Sequence, residues 1–350
     1  MLISSEKQLL INLNKIQIFY IDKFIKDLFI KYHEIQYCIL CNGSDNEFIA
    51  EKDQYGIPCP TVRCRDCGLI FSKKQLTNES MIRFYDKYYR RIYEGVDGVD
   101  MTHQFYQKLY DGWVSKVPKF IKKNSYVVEF GCGGGWNLLP FLRKGIKHAG
   151  YDYDSKMIDY GKKKYGLNLF YGGLEEVTSN CKSVDYFILS QVVEHLSDPV
   201  YFLNKIRSCF SHNGLICITV PSLNYMEYFG GNSTHFDIEL NLQNAHNFTF
   251  DECTLNALLC KAGYEPILIL GGYAIARAFP ENISKLNKTK TKCIDFKSLV
   301  KIKKSTKLKY LINKKIPKLL YNFFMLRSFY FFNPVKSLRY LIINRLGFWL

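Results

Sequence analysis

The chain has 350 residues, 47% of them apolar, and a formal net charge of +16. That length and apolar content provide for a large hydrophobic core and exclude a disordered or disulfide-dependent miniprotein, although there are 12 cysteines. Residues 281–350 hold 17 Lys and Arg against 2 Asp and Glu, so the excess charge belongs to the tail and the rest is nearly neutral.

Met1–Ser5 lack the basic start of a secretory signal, and the expected setting is a reducing cytosol where cysteines serve as metal ligands or small core residues. Residues 6–31, "EKQLLINLNKIQIFYIDKFIKDLFIK", contain no Pro or Gly and predict one helix within an N-terminal segment 1–35. Its apolar residues cover most of the circumference, so it should pack on something.

Residues 36–76 change character. Cys38-x2-Cys41 and Cys64-x2-Cys67 stand 22 residues apart, and each pair is followed closely by a glycine, Gly43 or Gly68. Two such knuckles form a tetrahedral thiolate set for one structural zinc, and the glycines let backbone N–H groups turn toward sulfur. Cys59 is a fifth thiol nearby that could replace one ligand. A capping signal at Thr77 or Asn78 opens a helix in "TNESMIRFYDKYYRRIY", and a second helix is expected near "THQFYQKLYDGWVSKVPKFI", together a linker or substrate cover over 77–118.

From 119 to 282 a βα alternation predicts strands near 125–130, 147–152, 168–171, 184–190, 214–220, 265–270 and 273–279. Helices are expected near 136–144, 155–165, 199–210 and 251–263. The fold class is α/β: a doubly wound, Rossmann-like sheet of seven strands with its site at the strands' carboxyl ends.

The loop after the first of these strands, "VVEFGCGGGW", decides among ligands. A triphosphate loop needs Lys followed by Ser or Thr after its last glycine, and a dinucleotide loop needs a third glycine where Trp136 stands. Glu129, Gly131, Gly133 and Gly135 instead form E-x-G-x-G-x-G. This pattern resembles the class I S-adenosylmethionine-dependent methyltransferases. That resemblance implies a loop passing close under the cofactor's methionine part, where a Cβ would collide, with Glu129 orienting the loop and the ligand's amino group.

Asp152, 21 residues after Gly131, is placed to accept hydrogen bonds from the ribose hydroxyls. Where many relatives carry an acid facing adenine this chain has Gly173, so the adenine contact is assigned to backbone near Leu174. "QVVEHLSDP" after the fourth strand resembles a segment common in small-molecule methyltransferases and puts His195 at the mouth of the sheet as a candidate general base, with Glu194 beside it. In quinone-type relatives acids and a His of this segment bind a divalent metal; Gln191 stands where one such acid would be, so no metal is expected there. Tyr88, Tyr89 and His246 are further candidates for facing substrate.

The cysteine module, Tyr-rich helix and methyltransferase core together resemble bacterial methyltransferases that include sugar-nucleotide C-methyltransferases. The implied acceptor is a small molecule of the sugar-nucleotide or surface-glycan-precursor type. Two other readings are an RNA methyltransferase gripping phosphates with ribbon and tail, or a binding protein that keeps the fold without the chemistry. Base amino-methylating enzymes place [DNS]-P-P-[YF] after the fourth strand; "SQVV" stands here, which disfavours nucleic acid.

The tail, residues 283–350, includes a basic amphipathic helix between Lys307 and Phe324, interrupted by Pro317. It has no run of about 18 apolar residues, so no spanning helix is expected; the two readings are peripheral contact with an anionic membrane at its cytoplasmic face, and packing on the domain or a dimer partner. The oligomeric state is left open.

Overall fold

The computed structural model describes residues 12–96, 118, 120–223 and 242–278. The second linker helix and the tail, with its membrane contact, lie outside the described residues. Among the described residues no helix is long and apolar enough to cross a membrane.

Helix α1 spans Lys15–Ile25, started by a reciprocal capping box between Asn14 and Gln17. It is shorter than the run 6–31: residues 1–11 are not described, and at the other end tertiary contacts override helix propensity. Asp27 accepts the Phe29 N–H at 3.0 Å and pairs with Arg83 at 2.7 Å, and the chain turns into strand β1, Tyr32–Glu34. The expected packing of α1 is met by Ile21 and Phe24, which are buried in one cluster with Phe84 and Tyr88.

Strands β2 (Asn46–Lys52), β3 (Pro58–Cys64) and β4 (Ile70–Ser72) form an antiparallel sheet that carries the cysteine knuckles. Strand β5, Lys74–Leu76, pairs with β1 and leads into helix α2, Asn78–Lys87, which Thr77 caps. A π-helical turn follows at Arg90–Glu94.

The large sheet follows the predicted alternation closely. Its strands are β6 (Tyr126–Phe130), β7 (Lys147–Asp152), β8 (Leu169–Tyr171), β9 (Val184–Ser190) and β10 (Phe210–Thr219). They are joined, after a two-residue strand β11 (Phe248–Thr249), by β12 (Tyr264–Leu270) and β13 (Tyr273–Ala278). Their spatial order is β12-β13-β10-β9-β6-β7-β8, and only β13 runs antiparallel to its neighbours. The order reverses beside β6, which leaves a crevice at the carboxyl ends of β6 and β9. Central strands read as unbroken apolar runs because both faces are covered: Val127, Val128, Phe187, Ile188, Leu189, Ile216 and Ile218 are fully buried.

Two helical expectations change in detail. The segment 136–144 opens with a 3-10 turn, Trp136–Leu138, before helix α3, Leu139–Arg143, because Gly135 enters it in the left-handed region. Helix α4, Ser155–Tyr165, lies where predicted, capped by Asp154 and stopped by Gly166. A further short helix, α5, Leu174–Asn180, forms where no helix was predicted, opened by the Glu176 carboxylate, which accepts the Gly173 N–H at 2.7 Å. Helix α6, Pro199–Ile206, starts at the Asp198 cap with proline in its first turn, and α7 is Glu252–Lys261.

Strand β11 lies by sequence within the βα-alternating segment 119–282, yet it pairs with β4 and becomes the fourth strand of the cysteine module's sheet.

Candidate active site

A cavity of about 890 Å³ runs from the carboxyl ends of β6 and β9 to the inner side of α2 and the π-turn. Its lining includes Glu129, Gly131, Gly133, Asp152 and Leu174 together with His195, Tyr85 and Tyr89. Gly135 is set back from this wall, against Leu167 and Leu169.

The glycine loop is bare first for its own fold. Gly131, Gly133 and Gly135 all have positive φ, and a Cβ on Gly131 would run into Val192 while one on Gly135 would come within 2.7 Å of Leu167. The collision with a ligand expected from sequence is therefore not needed to explain these glycines. The Gly133 N–H donates to Asp152 Oδ2 at 2.7 Å, and the Asp154 N–H donates to Oδ1 at 2.8 Å. Both oxygens of Asp152 are thus fixed, and each keeps a lone pair free for another donor.

Glu129 is buried, and its Oε1 accepts the Asn137 amide at 2.6 Å. Its Oε2 has no hydrogen-bond partner among the described residues. Burial pushes this carboxyl up to about 8, against the Asn137 bond and with help from the Asp152 charge. A buried, half-satisfied carboxylate beside a cavity fits a ligand that brings an ammonium group. Because the folded-state value is raised, Glu129 favours folding fully below the ordinary carboxylate range and loses that contribution as pH rises through about 8. Glu129→Gln is therefore expected to melt higher than the unsubstituted protein at pH 8–9 without ligand, while its S-adenosylmethionine Kd rises about tenfold to a hundredfold. Calorimetry with and without cofactor checks both signs; equal cofactor affinity would remove Glu129 from the site.

Leu174 opens α5 at the cavity wall. The glycine before it has a steric reason: a Cβ on Gly173 would run into the hydroxyl of Tyr153, which also lines the cavity.

His195 closes a 3-10 turn, Val193–His195. Its Nδ1 lies 2.8 Å from the Ala245 carbonyl. A carbonyl can only accept, so Nδ1 carries the proton and Nε2 keeps its lone pair. Burial holds the imidazole down to about 4, partly offset by the Ala245 bond, so it is neutral at pH 7. Glu194 Oε1 lies 3.7 Å from Nε2, and neither Glu194 oxygen has a hydrogen-bond partner among the described residues; burial pushes this carboxyl up to about 8. The His246 ring packs edge-on against His195 at 4.7 Å. Glu194, His195 and His246 keep their ligand atoms within 4.8 Å of one another, a spacing that could hold a cation even though Gln191 contributes no acid.

Of the two tyrosines singled out in the sequence, Tyr88 is core, bonded to Asp27 and packed on Phe24. Tyr89 does face the cavity, as does Tyr85, which the sequence reading passed over; both rings meet His195 edge-on at about 6 Å. Asn137 and Tyr153 were also missed, and Gln191, noted in the sequence only as the lack of a metal-binding acid, lines the cavity too. Gln191 has φ +56 at the carboxyl end of β9, strain on a non-glycine residue of the kind that gathers at functional sites. An alternating strand pattern gives no sign of it.

The Cys38, Cys41, Cys64 and Cys67 sulfurs come together within 4.8 Å, with Cys38–Cys67 and Cys41–Cys64 both at 3.4 Å. Sulfurs about 3.8 Å apart would surround a zinc at ~2.3 Å tetrahedrally, so this closed set could hold one structural zinc. Cys59 stands apart among Thr61 and Ser72, and burial pushes its thiol up to about 11, so it is an ordinary core thiol.

Residues 101–269 match the family model described as "Methyltransferase domain". The matched stretch spans most of the large sheet, and this part of the chain is similar to S-adenosylmethionine-dependent methyltransferases. Among curated relatives, a ubiquinone biosynthesis O-methyltransferase of Pelagibacter ubique is 28% identical over 110 residues, covering 30% of this chain and 46% of that protein. A probable S-adenosylmethionine-dependent methyltransferase of Mycolicibacterium smegmatis is 26% identical over 140 residues, covering 40% of this chain and 51% of that protein. The chain thus spans about half the length of the curated relatives it matches. A solved S-adenosylmethionine-dependent methyltransferase from Archaeoglobus fulgidus shares 20% identity over 62% of this chain and 90% of its own, at a TM-score of 0.37.

Proposed function

We propose that this protein transfers a methyl group from S-adenosylmethionine to a small molecule of the sugar-nucleotide or surface-glycan-precursor class, with His195 as general base. The observation that carries this reading is that one cavity joins the half-satisfied Glu129 carboxylate and Asp152 to the free Nε2 of His195.

Bound there, the cofactor supplies a methyl group on a sulfonium, already activated for displacement. Glu129 would take the cofactor's ammonium group, Asp152 its ribose hydroxyls, and backbone at Leu174 its adenine. Tyr85 and Tyr89 offer flat apolar faces to a ring-bearing acceptor, held within reach of His195. As the acceptor atom gains the methyl group it loses a proton, which His195 Nε2 takes, with the Glu194 carboxyl 3.7 Å away. Residues 36–76 serve as a structural zinc ribbon, 77–118 as a substrate cover, and the tail from 283 as a contact with an anionic membrane surface where glycan precursors are assembled.

The deciding experiment is incubation of the protein and methyl-labelled S-adenosylmethionine with a cell extract, followed by identification of the labelled product. Label in a sugar nucleotide or glycan precursor is the expected outcome. Label in RNA, or cofactor binding with no transfer at all, would overturn it.

A further inference from the structure

Residues 242–249 lie between two parts of the molecule that are far apart in sequence. On one side they dock onto the cysteine module. The Gln54 N–H donates to the Leu242 carbonyl at 3.1 Å, the Asn244 N–H to Asp53 Oδ2 at 2.8 Å, and the Ser72 N–H to the Asn247 carbonyl at 3.0 Å. Phe248 and Thr249 then pair with Phe71 and Ile70. On the other side the same residues hold the Glu194–His195 turn. The Ala245 carbonyl accepts the His195 Nδ1–H at 2.8 Å, the Asn247 side chain donates to the His195 carbonyl at 2.8 Å, and the Asn247 N–H donates to the Glu194 carbonyl at 2.7 Å. The ring of His195 therefore takes its tautomer and its aim from a carbonyl whose own place is set by the module.

Asp53 is the joint. It is buried, and its Oδ1 accepts the N–H groups of Tyr55 and Ile57, both at 2.9 Å, which closes its own hairpin turn. Its Oδ2 reaches the Asn244 N–H, 191 residues away in sequence. An amide in its place could keep the first two bonds but would set an NH2 against the Asn244 N–H, donor against donor. The hydroxyl of Tyr93 supports the same segment from another side by accepting the Ala245 N–H at 3.1 Å.

We propose that Asp53 is a positioning residue for methyl transfer: it fixes residues 244–247 and, through the Ala245 carbonyl, the tautomer and orientation of His195. This rests on His195 being the base. It assigns the cysteine module a task beyond holding zinc, since the module's hairpin supplies the anchor for the base.

Nitrogen-15 NMR of the histidine rings in the full-length, zinc-loaded protein tests it without needing the acceptor. His195, assigned by its loss in His195→Ala, is expected to show a single Nδ1–H tautomer. In Asp53→Asn it is expected to become a mixture, with zinc content retained and His148, whose Nδ1 faces the Ile146 carbonyl, unchanged. Labelled-methyl transfer into cell extract should fall about tenfold to a hundredfold at unchanged cofactor affinity. An unaltered His195 signal in zinc-replete Asp53→Asn overturns the proposal. If that variant loses its zinc, Tyr93→Phe carries the test: mixed tautomers support the positioning role, and an unchanged signal overturns it. Should His195→Ala keep full transfer, the base reading fails instead, and the NMR result still reports separately whether Asp53 orients the ring.

Discussion

His195→Ala is expected to lower methyl transfer by about 10²–10⁴-fold, the usual worth of a positioned general base, while leaving the cofactor's Kd within about twofold. The two halves of that expectation have separate causes. Glu129 and Asp152, the residues proposed to hold the cofactor, lie at the ends of β6 and β7, whereas His195 sits on the turn after β9 and makes no hydrogen bond to either. The pH dependence follows from burial. The imidazole is held down to about 4, so its lone pair is available across neutral pH, and the rate limb owing to His195 should lie well below the ordinary histidine range. The stability sign follows from the same value: neutral His195 favours folding fully above about 6.5, and that contribution is lost as pH falls toward 4. Single-turnover transfer measured between pH 4 and 8 checks the limb. Full turnover in His195→Ala would remove the base.

Zinc removal should have the largest structural effect. Purified without chelator, the protein is expected to carry about one equivalent of zinc, and less than half an equivalent would count against the four-thiolate assignment. Cys64 is fully buried, so Cys64→Ser both weakens the metal set and leaves a poorly matched hydroxyl among the remaining thiols. Structural zinc contributes roughly 10–16 kcal/mol to the folding of small zinc domains, so its loss should unfold the module locally and lower Tm by about 10 °C or more. Because β11 is the fourth strand of the module's sheet, the damage should extend to Ala245 and Asn247 and so to His195. Cofactor affinity should survive, since the glycine loop belongs to the other sheet. Elemental analysis, melting and cofactor titration on one preparation separate these effects; equal loss of cofactor binding and transfer would mean general unfolding instead.

Features written into short stretches were legible without coordinates. Glu129 to Gly135 carries its own geometry, because left-handed backbone at alternate positions calls for glycine wherever the loop occurs. The Cys-x2-Cys knuckles likewise bring two sulfurs together through one tight turn, and matching the pairs needs only that they meet. The alternation of apolar strands and capped helices located the seven-stranded sheet for the same reason: burial on two faces leaves a continuous apolar run in the central strands. Errors collected where tertiary contacts outweighed local preference, as at the end of α1, where Asp27 turns the chain to meet Arg83.

The sequence by itself determined the sheet, the bare glycine loop, the acid that ends the next strand and the paired thiols, since each depends on neighbours a few residues away. Only the tertiary structure decided that Tyr85 and Tyr89 share a cavity with His195, that Tyr88 does not, and that His246 packs against His195. It also decided that Asp53 and Asn244 hold the segment that aims His195, through a bond that closes 191 residues of chain. The physical reason is range: periodicity and spacing encode which face of an element is buried, whereas a polar contact across two sheets depends on how those faces finally pack.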